Sequence, residues 1–76
     1  MTRLPRVTGW EVIAALRRMG FRVEYVKGSH YHLVHESDAS RQVVVPVHAG
    51  MTLKLKTLKS ILKRAEVSVD DLKRLL

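Results

Sequence analysis

The spacing of apolar residues changes period twice along this chain, and that change constrains the fold more than any other feature. Val12, Ile13, Leu16 and Met19 fall at i, i+1, i+4 and i+7, one stripe of an α-helix. From Phe21 the pattern alternates, with Phe21, Val23 and Tyr25 set against Arg22, Glu24 and Val26, the period of a strand with one buried face. A helical period returns with Leu58, Ile61, Leu62 and Ala65 at i, i+3, i+4 and i+7. Two amphipathic helices therefore flank a β region.

Local signals place the boundaries. Leu4-Pro5-Arg6-Val7 reads as an extended lead-in. Thr8-Gly9-Trp10-Glu11 has the form of a capping box, with Thr8 at the N-cap and Glu11 three residues on. Gly20 is a natural helix stop, so the first helix is predicted over 9–19, with Arg17 and Arg18 off its apolar stripe. Lys27-Gly28-Ser29 supplies a turn between strand 21–26 and a hairpin partner over 30–35. In that partner Tyr31 and Leu33 make one face, and His30, His32 and Val34 the other. Tyr31 and Leu33 are placed inward, because two buried imidazoles would each need hydrogen-bond partners. Residues 36–40 read as a polar loop, and 41–47 as a third strand whose Pro46 marks an edge position or the strand's end. After the connection His48-Ala49-Gly50-Met51, a second helix is predicted over 56–66, with Lys56, Lys59, Lys63 and Arg64 largely off its stripe. Ser68 caps a short last helix whose first turn holds Asp70 and Asp71. Hairpin-linked strands make an antiparallel sheet, and helices with one apolar face each pack on the same side of it. The expectation is one α+β domain over residues 1–76 that leaves the histidine face of its sheet open.

Seventy-six residues leave room for one small core, and the 46% hydrophobic fraction is that of a globular chain. With no cysteine, neither a disulfide framework nor a cysteine-ligated zinc can hold it together. Met1-Thr2-Arg3-Leu4-Pro5-Arg6 is not followed by an apolar core of a signal peptide, and no apolar run approaches the roughly 18 residues of a membrane helix. A cytoplasmic location without a membrane partner is expected. Charge is uneven. Residues 1–27 carry six basic and two acidic groups, 51–76 seven and three, and 28–50 one and two, which leaves +4, +4 and −1 within a net +7. Such an excess favours a polyanion as partner, most simply nucleic acid, through phosphate neutralisation and counterion release.

The middle segment holds all four histidines. Lys27-Gly28-Ser29-His30-Tyr31-His32 sets a turn of small residues directly before two of them at i, i+2, hence on one strand face. Gly28-Ser29-His30 after a strand, Val45-Pro46-Val47-His48 ending a later one, and Thr57-Leu58-Lys59-Ser60-Ile61-Leu62 opening a helix resemble the HicA family of toxin–antitoxin mRNA interferases. Thr8-Gly9-Trp10-Glu11-Val12 and the segment from Ala65 to Leu72 fit as well. The resemblance runs from about Leu4 to the end of the chain. It implies a fold like the double-stranded RNA-binding domain, α-β-β-β-α, with a short extra C-terminal helix. It also implies a metal-independent endoribonuclease that cleaves mRNA, an essential histidine that maps onto His30, no cofactor, and a HicB-type antitoxin that covers the active surface. Two departures stand out: Lys56 where many members have Gly, and Glu66 where a Gly commonly ends the second helix.

The residues can support that chemistry. RNA is cut when its 2′-OH attacks the adjacent phosphorus, and histidine can accept or deliver the protons near neutral pH. His30 is the expected acid or base, with Lys27 and the amides of Gly28 and Ser29 beside the phosphate. Gly28 presents no Cβ to the RNA backbone. His32 shares the face of His30 and is expected to touch substrate. Lys54, Lys56 and Lys59 are the expected phosphate contacts of the second helix. His48 reads as loop structure or an RNA contact, His35 as having no functional part, and Trp10 and Tyr31 as packing rather than base stacking. His30, His32 and His48 have no acidic residue or cysteine at ligand spacing, so no metal is expected. Two other readings stay open: a non-catalytic RNA-binding module of the same fold, and a small subunit that binds an acidic protein.

Overall fold

A computed structural model describes residues 3–76. Met1 and Thr2, on which part of the secretion reading rests, lie outside the described residues. Among these the elements are α1 (Gly9–Arg18), β1 (Phe21–Lys27), β2 (His30–His35), β3 (Asp38–Pro46), α2 (Leu55–Ala65) and α3 (Val69–Leu75). The strands form one antiparallel sheet in the order β1-β2-β3, so the histidine strand is central. The α+β arrangement matches the expected α-β-β-β-α plan with its extra C-terminal helix.

The capping box at α1 is complete. Glu11 N–H donates to Thr8 Oγ1 at 3.2 Å, and Thr8 N–H donates to Glu11 Oε1 at 2.9 Å. Together these satisfy two of the amides that a helix start leaves open. Val12, Ile13, Ala15 and Leu16 then enter the core with Leu33, Val43 and Val45 of the sheet and with Leu58, Ile61 and Leu62 of α2. Leu72 places α3 in the same core, and the Arg18 guanidinium donates to the Leu75 carbonyl at 2.5 Å, tying α3 to α1. Ser68 caps α3 by accepting from Asp71 N–H at 3.0 Å.

Four expectations are corrected. First, Tyr25 does not follow Phe21 and Val23 inward. Val23 pairs with Leu33 but Tyr25 pairs with His32, so Glu24 is an extra residue, a β-bulge that turns the strand by one place. Tyr25 therefore joins His32 on the face away from the core, and Val26 pairs with Tyr31 instead. Second, the loop predicted over 36–40 shrinks to a turn at Glu36–Ser37, and β3 begins at Asp38. Its polar start is held locally: Ser40 donates through both N–H and hydroxyl to Asp38 Oδ1, and Gln42 Nε2 donates to the Ala39 carbonyl. The exposed start of an edge strand needs no apolar residues. Third, Val34 is buried on the histidine face, outside the main core, in register with Arg22 and Gln42. Fourth, the lead-in is pinned rather than merely extended. Val7 and Leu53 are core residues, Leu53 N–H donates to the Val7 carbonyl at 2.7 Å, and Thr8 bridges Thr52.

One of the two departures, Glu66, falls at the C-cap of α2. Glu66 follows the helix in the left-handed conformation, φ 58° and ψ 43°, which glycine adopts without strain. Arg41 crosses from β3 to donate two hydrogen bonds, at 3.0 and 2.7 Å, to the Ala65 carbonyl, and its guanidinium also lies over the Phe21 ring. A cation on the last carbonyls of a helix is favourable in itself.

Candidate functional site

The open sheet face is organised in three cross-strand rows. At one end Lys27, His30 and Pro46 lie side by side; next come Tyr25, His32 and Val44; then Arg22, Val34 and Gln42. The first row sits at the tip of the β1–β2 hairpin, where Gly28 and Ser29 form a two-residue loop. Gly28 has φ +59°, and Ser29 keeps a negative φ, the pattern of a type II′ turn with glycine at its first position. A Cβ at Gly28 would meet nothing within 4 Å, so the space above the loop is open to a ligand. The Ser29 carbonyl accepts from Val47 N–H at 2.8 Å, which carries the β2–β3 pairing past the end of β3 and steadies the tip. The N–H groups of Gly28 and Ser29 donate no hydrogen bond among the described residues. His30 is exposed in register with Lys27, so an ammonium and an imidazole flank two uncommitted amides.

His32 is half-buried beneath Tyr25. Their rings are stacked, with centroids 4.1 Å apart and planes 14° from parallel. Both line a groove of about 650 Å³ whose other wall comes from α2: Lys56, Ser60 and Arg64, at i, i+4 and i+8, form one row along that helix. A smaller groove of about 250 Å³ lies beside it, lined by Pro46, His48, Met51 and Lys54, and Thr57 borders both. Neither Lys27, Lys56 nor Arg64 makes an ion pair among the described residues; the pair between Arg74 and Asp71 lies on α3.

The expected site residues thus fall into three groups. Lys27, Gly28, Ser29 and His30 share the hairpin tip, and His32 and Lys56 line the larger groove. Lys54 lines the smaller groove with His48, and Lys59 is exposed on α2 but lines neither. Sequence reasoning missed Tyr25, which the bulge redirects, and the row that links Arg64 to Lys56. The helical spacing of that row was readable, but not the wall it would form. Trp10 and Tyr31 pack edge-to-face at 4.9 Å. His35 serves the architecture. Its Nδ1 accepts from Ser37 N–H at 3.1 Å, which leaves Nε2 to donate to the Met19 carbonyl at 3.1 Å. It closes the end of α1 and the β2–β3 turn at once, with its ring edge-to-face on Phe21.

A family model described as HicA toxin of bacterial toxin–antitoxin matches residues 9–67, from the start of α1 to the residue after the α2 cap. The chain belongs to the HicA toxin family. It is accordingly the toxin of a toxin–antitoxin pair, and its partner is an antitoxin. No curated protein sequence matches the chain. Helix α3, which contributes Leu72 to the core of this HicA toxin, lies beyond the matched stretch. Among the described residues no helix is long and apolar enough to cross a membrane.

Proposed function

We propose that this toxin is a metal-independent endoribonuclease that cleaves mRNA and thereby inhibits translation, with His30 as proton-transfer residue. The reading is carried by the hairpin tip, where an exposed imidazole stands in register with Lys27 beside the free amides of Gly28 and Ser29. A scissile phosphate seated there has its non-bridging oxygens against an ammonium and two N–H donors, which favour the charge that grows on the phosphorane. The 2′-oxygen bonds to phosphorus as its proton leaves, the bond from phosphorus to the 5′-oxygen breaks, and that oxygen takes up a proton. His30 performs one of these two transfers, and general acid–base catalysis of this kind contributes about 10²–10⁴-fold. His32 lies on the same strand face as His30.

The partner is a HicB-type antitoxin that covers this tip. An exposed site suits a substrate as large as RNA and equally requires a protein to shut it. The deciding experiment incubates the purified toxin and its His30→Ala variant with a transcript, with and without EDTA. Cleavage by the toxin in both conditions, absent in the variant, is expected, together with loss of growth inhibition by the variant. An intact, shifted RNA band with the unsubstituted toxin identifies the non-catalytic binding module instead. Cleavage by His30→Ala at the unsubstituted rate refutes the assignment of His30.

A further inference from the structure

Tyr25 is exposed over 51% of its surface, although simple alternation from Phe21 and Val23 would seat it in the core. The bulge at Glu24 re-aims it, and bulges recur beside functional sites for that purpose. One face of the tyrosine ring rests on His32, and the pair stands in the groove of about 650 Å³. That volume falls within the roughly 300–1,000 Å³ typical of small-ligand sites. Two cations, Lys56 and Arg64, line the groove against one carboxylate, Glu24, and both cations are free of ion pairs among the described residues. Gln42 also lines the groove. Its Nε2 is committed to the Ala39 carbonyl, which leaves its Oε1 as an acceptor.

Aromatic faces on which bases stack, set beside cations that follow the backbone, are how proteins hold single-stranded nucleic acid. A duplex keeps its bases paired and stacked and offers no free face to a ring inside a groove. A ring face beside cations suits a flat base joined to a phosphate, and the arm of the test that reads antitoxin binding separates this from a protein segment. We propose that this groove is a subsite for one unstacked nucleotide of single-stranded RNA. Its base packs on the Tyr25–His32 platform and its phosphate lies toward Lys56 and Arg64, next to the phosphate seated at His30. The proposal rests on the ribonuclease reading for the polymer's identity. It adds that the toxin selects single strands although its fold resembles a duplex-binding domain.

The test uses His30→Ala protein, so that binding is read without cleavage, and measures fluorescence anisotropy with a labelled oligoadenylate and a fully paired RNA duplex. Adding Tyr25→Ala is expected to weaken oligoadenylate binding about tenfold or more. Tyr25→Phe is expected to bind as the unsubstituted ring does, and duplex binding to be indifferent to Tyr25. Tyr25→Thr, which suits a strand but has no ring, gives the same loss and guards against misfolding of the alanine variant. The proposal is overturned if the ring-less variants bind oligoadenylate unchanged, if they lose duplex and single strand alike, or if only antitoxin binding suffers. Cleavage assays with His30 restored separate the two readings. A toxin that binds oligoadenylate through Tyr25 but cuts no RNA keeps the subsite and loses the enzyme. One that cuts equally well as Tyr25→Ala keeps the enzyme and loses the subsite.

Discussion

Replacing Gly9 by alanine is expected to destabilise the protein, opposite to what helix propensity alone requires. Gly9 opens α1 with an ordinary negative φ, so no backbone conformation demands glycine there. On propensity, alanine should help by roughly 0.5–1 kcal/mol. However, a Cβ built at Gly9 would stand 2.4 Å from the Pro46 carbonyl oxygen, 3.1 Å from Val47 Cγ2 and 3.2 Å from Val47 Cα. The nearest of these is backbone and cannot rotate away, so α1 or the end of β3 has to move. Overpacking of this kind costs about 1–3 kcal/mol, occasionally more, and outweighs the propensity gain. For a domain of this size each kcal/mol corresponds to about 4–8 °C in Tm. The assay is thermal and urea unfolding in the His30→Ala background, which avoids toxicity during expression. A steric origin has a second signature: Val47 N–H is bonded to the Ser29 carbonyl at 2.8 Å, so amide resonances of the hairpin tip should shift in Gly9→Ala. Gly50→Ala is the control, since a Cβ there meets nothing within 4 Å and only its φ of +73° opposes the change, with no disturbance at the tip. A Gly9→Ala protein that melts at or above the unsubstituted temperature refutes the argument.

Three further outcomes follow from the same geometry. Glu66→Gly is expected to stabilise by about 1 kcal/mol, because the left-handed cap strains any residue with a Cβ; urea unfolding reads the gain, and an unchanged midpoint contradicts it. His35→Phe keeps the ring contact with Phe21 but leaves the Met19 carbonyl and Ser37 N–H unpaired, so stability should fall by about 1–3 kcal/mol while oligoadenylate binding is unaffected. Asp38 is held below the ordinary carboxylate range by the Ser40 hydroxyl, then by the Ser40 N–H. Its folded value lies below its unfolded one, so this contribution is complete above about pH 4 and is lost as pH falls through the lowered folded value. Asp38→Asn should flatten the acid limb of a stability–pH curve, and an unaltered limb tells against the Ser40 contact.

The residues proposed to meet RNA lie on the histidine face of the sheet and on α2, and the groove between them reaches the core at Leu33, Val43 and Ile61. His30 and Tyr25 are exposed and stand outside the core, so substitutions there can test chemistry without emptying it. Leu33, on the same strand as His30, is a core residue at 2% exposure and also borders the groove.

Much of this plan was legible in the sequence because it depends on neighbours along the chain. A capping box needs Thr8 and Glu11 at the right spacing, a hairpin needs Gly28 between two strand-like runs, and α2 needs its apolar stripe. The exposure of His30 followed from Leu33 being the inward residue. What the tertiary structure alone decided depends on partners distant in the chain. The bulge at Glu24 exists only in the register of β1 against β2, and alternation read along one strand passes over it. The groove wall of Lys56, Ser60 and Arg64 exists only where α2 lies beside the sheet. The need for glycine at position 9 arises from Pro46, and the burial of Val7 from Leu53. Local periodicity says which side of an element is apolar; which other element meets that side, and at what offset, is settled by packing the whole chain at once.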